Sequence, residues 1–68
     1  MDFKVGDRVQ ALDIIPVSNK QMMFEGEYGN VIDIIPREDG HYLLVVKRSQ
    51  DGAIFKANEY CWQNAEHC

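Results

Sequence analysis

The stretch Gly29-Asn30-Val31-Ile32-Asp33-Ile34-Ile35-Pro36-Arg37-Glu38-Asp39-Gly40-His41-Tyr42-Leu43-Leu44-Val45-Val46-Lys47-Arg48 decides the fold. Two short apolar runs, rich in Val and Ile, stand on either side of a turn segment, and each is too short for a helix. Pro36 ends the first run because proline has no N–H to give to a ladder. Glu38-Asp39-Gly40 supplies the turn, with Gly40 free to take a positive φ. The pattern predicts strands over residues 29–35 and 42–48.

Outward from this pair the same rhythm continues. Turn signals over residues 16–20, 26–30, 36–40 and 49–52 recur at about the 8–12-residue spacing of all-β chains. No window holds a helical stripe of more than about two turns. Residues 7–12 read as a first strand, followed by a long loop over residues 16–23. Asp51-Gly52 reads as a hairpin turn into a strand over residues 53–56. Ala57-Asn58-Glu59-Tyr60 reads as one 3₁₀ turn, Cys61-Trp62-Gln63 as a last short strand, and residues 64–68 as a frayed tail. There is no internal repeat, low-complexity segment or linker, so residues 1–68 are expected to form one domain. An open sheet this small leaves too many unpaired edges, and curling it toward closure removes them. The expected fold is all-β: a five-stranded, partly open barrel with a long first loop and one 3₁₀ turn before the last strand.

Two stretches then carry a family resemblance. Val5-Gly6-Asp7-Arg8-Val9, followed by Gly26-Glu27-Tyr28-Gly29-Asn30-Val31-Ile32-Asp33-Ile34, resembles the opening strands of bacterial SH3-like small barrels, KOW-type domains among them. Gly52-Ala53-Ile54-Phe55-Lys56-Ala57-Asn58-Glu59-Tyr60 is similar to the closing segment of SH3 domains, where a strand, a 3₁₀ turn with Asn and Tyr, and a final strand follow in order. Phe55-Lys56-Ala57 also looks like the close of the variable chain of ferredoxin–thioredoxin reductase, a non-catalytic partner of a separate iron–sulfur subunit. The resemblance covers about residues 3–63. It implies an SH3-like barrel that works by binding. His41-Tyr42 stands where peptide-binding SH3 domains carry a Trp pair, and residues 16–24 hold Lys20 and no acid. A groove for proline-rich peptides needs aromatic walls and acids, so that ligand class is not expected.

Composition narrows the function classes. Eleven acids against seven bases leave a formal net charge of −4. That disfavours nucleic acid, whose binding draws on cations that neutralise phosphates. Leu43-Leu44-Val45-Val46 is far short of the roughly 20 residues a spanning helix needs. Met1-Asp2-Phe3-Lys4 lacks the apolar core of a signal peptide, so a cytoplasmic protein without a membrane partner is expected, with Cys61 and Cys68 reduced.

No nucleophile–base pair has a supporting spacing, so no enzyme is expected. Cys61, His67, Cys68 and the distant His41 match a zinc-ligand spacing loosely, and no metal or cofactor is expected. Gly26-x-x-Gly29 lacks the Gly-Lys-Ser and the helix that a phosphate cradle needs, so both glycines read as turn or bulge positions. Lys47-Arg48, across a hairpin from Lys56, is the candidate basic spot for RNA, beside Phe55 or Tyr42.

The most informative feature is an excess of apolar strand residues. Alternation sets Tyr42, Leu44 and Val46 against Leu43 and Val45, and Val31 and Ile35 against Ile32 and Ile34. A sheet with one wet face should alternate apolar with polar. The surplus must be covered by the long loop, re-aimed by bulges, or left as a partner-binding face. The expected face combines Lys20, Gln21, Met22 and Met23 of the long loop with Tyr28, Tyr42, Leu43, Val45, Tyr60 and Trp62. Aromatics would act as rigid anchors and methionines as adaptable filler. The expected function is a small non-catalytic adaptor, accessory subunit or inhibitor contacting a partner protein or a second copy of the chain. The alternatives are a KOW-like RNA, ribosome or transcription-complex contact, and a regulatory subunit of a redox enzyme.

Overall fold

Because the chain offers only short apolar runs between turns, it folds into short strands. A computed structural model describes residues 3–16 and 22–65. Along them run β1 (Arg8–Ala11), β2 (Ile15–Pro16), β3 (Met22–Met23), β4 (Tyr28–Pro36), β5 (Tyr42–Arg48), β6 (Ile54–Asn58), the 3₁₀ turn Glu59–Cys61 and β7 (Trp62–Asn64). Five of them form one antiparallel sheet in the order β6-β5-β4-β1-β7. Strands β4 to β6 are a meander, and the last strand returns beside the first. The sheet does not close, since β6 and β7 remain its two ends. This is the expected all-β, five-stranded, partly open barrel.

The pairing of β4 with β5 contains one irregularity. Val31 faces Val46 and Asp33 faces Val45, so Ile32 is an extra residue with no partner. Such a bulge shifts the two-residue period by one place and turns the following side chains over. Val31 lies in the core and Ile34 packs against it, whereas Ile32 and Ile35 are exposed. Simple alternation set Val31 with Ile35 and Ile32 with Ile34; the bulge replaces those pairings.

Among the described residues nine buried ones form the core: Val9, Ala11, Ile15, Met23, Val31, Leu44, Val46, Phe55 and Trp62. The expected long loop is in part a lid. Its ends pair as a small ladder, Ile15 with Met23 and Pro16 with Met22, and both Ile15 and Met23 are buried. Strand β2 lies against β6, so the lid covers the barrel on that side. Residues 17–21 lie outside the described residues.

The last strand reaches further than Gln63, into the segment expected to fray. Asn64 pairs with Val9, and the Ala65 N–H donates to the Arg8 carbonyl at 2.8 Å. The buried carboxylate of Asp7 joins the segment before β1 to β7, with Oδ2 accepting the Lys4 N–H at 3.0 Å and the Asn64 side-chain amide at 3.4 Å.

Gly29 is set by close approach rather than by turn geometry. A Cβ there would stand 2.5 Å from Val46 Cγ1 and 2.7 Å from the Lys47 carbonyl oxygen. The backbone atom cannot give way without moving the β4–β5 ladder. Gly29→Ala should therefore cost about 1–3 kcal/mol, the usual range for overpacking. Urea unfolding measures it, and a variant as stable as the parent would refute the contact.

Candidate functional site

Alternation along β5 places Leu44 and Val46 inside, which leaves Leu43, Val45 and Lys47 on the outer face. Residues directly opposite on paired strands share a face. Register therefore builds three outer rows across β4, β5 and β6: Ile35, Leu43 and Asn58; Asp33, Val45 and Lys56; Asn30, Lys47 and Ile54. Ile32 adds to this surface at 44% exposure, beside Ile35 at 38% and Ile54 at 40%. Leu43 is half-buried and Val45, at the centre, is buried. The meander is thus apolar on both faces, unlike an antiparallel sheet with one solvated side.

The candidate basic spot is not assembled as expected, because Lys47 and Arg48 are adjacent in a strand and alternate between faces. Arg48 turns to the barrel side, its side chain 12% exposed and its guanidinium carbon 4.9 Å from the centre of the Phe55 ring. It donates to both oxygens of Asp51, at 2.9 and 2.6 Å, to the Met22 carbonyl at 3.1 Å and to Glu27 at 3.4 Å. Phe55 is fully buried and offers no stacking surface. Arg48 is a clamp between β5, the lid strand β3 and two turns.

The expected partner-binding residues do not form one face. Met23 and Trp62 are in the core, where the Trp62 indole N–H donates to the Ala57 carbonyl at 3.4 Å. Tyr28 and Tyr42 begin β4 and β5, which run antiparallel, so they stand at opposite ends of the sheet. Tyr28 lies under the Arg8 guanidinium, 4.7 Å from ring centre to carbon, and lines an open pocket with Arg48, Ser49 and Gln50. Met22 is at this end too, exposed and held through its carbonyl by Arg48.

Tyr42 is at the other end, with Tyr60 and His41. The His41 and Tyr60 rings meet edge to face at 6.4 Å, and His41 Nδ1 is 3.1 Å from Glu59 Oε1. Asn58 bridges here, donating to the Tyr60 hydroxyl at 2.8 Å and accepting from Arg37. The Asp39 carboxyl is held below its ordinary value by the His41 N–H it accepts and by Arg37 nearby. Of the expected set, Leu43 and Val45 lie within the outer rows, and Tyr28, two residues before Asn30 on β4, shares their side of the sheet at its Arg8 end. Lys20 and Gln21 lie outside the described residues, as do His67 and Cys68. Burial pushes the Cys61 thiol up, with the Asp13 carboxylate adding to the effect, which makes its thiolate less accessible.

Sequence reasoning passed over Ile32, Ile35 and Ile54 as site residues, and placed Lys47 and Lys56 only in the candidate spot for RNA. Their signal was present in the failed alternation of β4 and in the Ile54-Phe55-Lys56 pattern of β6. Comparison of the chain with protein-family models, with curated proteins and with solved structures finds no match. The functional reading therefore rests on this geometry. Among the described residues no helix is long and apolar enough to cross a membrane.

The clamp has an acid limit. The Arg48 hydrogen bonds, with the Ala53 N–H, lower the Asp51 carboxyl from 3.8 to about 2. A depressed folded value adds stability that is complete above the unfolded value and disappears as pH falls through the folded one. Asp51→Asn lacks that contribution at every pH. Melting temperatures of parent and variant should converge as pH falls from 3.8 to about 2. A gap that stays constant over this window would assign the acid sensitivity elsewhere.

Proposed function

We propose that this chain is a small non-catalytic protein-binding module, acting as an adaptor, accessory subunit or inhibitor of a partner protein. The observation that supports this reading is the outer face of β4, β5 and β6, where Ile32, Ile35 and Ile54 are exposed around Leu43 and Val45. Contiguous exposed aliphatic surface on a folded protein marks interaction sites. A partner laid on it gains apolar burial at about 25 cal/mol per Å² before the costs of association. Regulatory subunits of redox enzymes bind by the same physics and differ only in the partner.

A KOW-like RNA contact is the second reading, favoured by the stacked Arg8–Tyr28 pair. A fluorescent single-stranded oligonucleotide at low salt separates the two, since an RNA-binding barrel raises its anisotropy and a protein-binding one does not.

Ile35→Glu tests the first reading. The side chain is on the wet face, so unfolding free energy should change by less than about 0.5 kcal/mol. In capture from nuclease-treated native lysate, the parent should retain one stoichiometric protein and the variant should lose it. Equal retention by both would remove the outer face from the interface.

A further inference from the structure

The outer face carries a charge unlike that of the whole chain. The protein has a net charge of −4, yet among the described residues of these rows Lys47 and Lys56 stand against one acid, Asp33. The arginines are engaged: Arg8 with Tyr28, Arg37 with Asp39 and Asn58, Arg48 with Asp51 and Glu27. Lys47 and Lys56 make no ion pair or hydrogen bond among the described residues. Register places them on diagonal positions of β5 and β6, with Val45 and Ile54 completing the square. Diagonal neighbours are about 7–8 Å apart. One carboxylate set between them serves both ammonium groups, and aliphatic side chains beside it cover Ile32, Ile35, Leu43 and Ile54. A second copy is a poor occupant, because a two-fold packing of this face on itself brings the same lysines to both sides. Single-stranded nucleic acid is a poor occupant too, because the surface around Ile32, Ile35, Leu43, Val45 and Ile54 is aliphatic and the exposed ring of β4, Tyr28, lies beyond it under the Arg8 guanidinium.

Resting on the protein-binding reading, we infer that the outer face of β4, β5 and β6 takes an acidic amphipathic segment of another protein. The partner's aliphatic side chains lie along Ile35, Leu43 and Ile54, and its carboxylates lie on the Lys47–Lys56 side. Asp33 orients the segment by repelling those carboxylates from the β4 side.

Two amphipathic synthetic peptides of equal length, one of Leu and Glu and one of Leu and Lys, test this by titration into the ¹⁵N-labelled full chain. The Leu/Glu peptide should shift the amide signals of residues 43–47 and 54–56 and bind about tenfold more tightly at low salt, as two gained ion pairs against two like-charge contacts allow. Added salt should shrink that ratio, and the double variant K47E/K56E should invert it. Equal affinity for both peptides would overturn the acidic partner and leave the protein-binding reading in place. Binding of neither peptide would also overturn it, and the protein-binding reading would then stand or fall by the Ile35→Glu capture. Oligonucleotide binding lost in K47E/K56E, or a dimer in sedimentation lost in Ile35→Glu, would overturn it in favour of those occupants.

Discussion

Strand β4 has one residue more than β5 can pair with, and much of the molecule follows from where that residue sits. Ile32 is left out of the ladder between Val31–Val46 and Asp33–Val45. Before the bulge, Gly29 and Val31 face inward; after it, Ile34 does. One insertion therefore assigns Val31 and Ile34 to the core and Ile32 and Ile35 to solvent. It also adds local twist, which a short sheet needs in order to curl. Gly29, one position before the bulge pair on the inner face, lets β4 lie close against Val46 and Lys47.

A barrel of this size has a small core, so polar ties matter more than in a larger domain. Asp7 is buried and fastens the segment before β1 to the strand that ends the sheet. Arg48 fastens β5 to the lid strand β3 and to two turns. Its pairing with Asp51 is partly exposed, and such a pair contributes modestly by itself. The same guanidinium also covers the Phe55 ring, a contact of packing as much as of charge. These ties hold the lid ladder, Ile15 with Met23, over the open side of the barrel.

The proposed function rests on what this arrangement leaves outside. A sheet that needed only one core would carry polar residues on its far side. The far side of β4, β5 and β6 instead repeats the aliphatic chemistry of the core, with lysines at one edge. The tyrosines, by contrast, are divided between the two ends of the sheet by the antiparallel course of β4 and β5. At one end Tyr60 joins His41, Glu59 and Asn58; at the other Tyr28 joins Arg8.

The amino-acid sequence by itself determined the strand content, the turns at Glu38-Asp39-Gly40 and Asp51-Gly52, the 3₁₀ turn and the all-β class. Those features depend on local chemistry: which residues lack an N–H, which take a positive φ, which β-branched side chains crowd a helix. It also showed that β4 and β5 carry more aliphatic residues than one interior can use. It did not say which of them face out, because parity along β4 depends on its pairing with β5, and a bulge has no mark in the residues that form it. Nor could it show that Met23 and Trp62 are core residues, or which of Lys47 and Arg48, on opposite faces of one strand, turns inward. Those are decided by register between strands distant in sequence, and register is a property of the folded sheet.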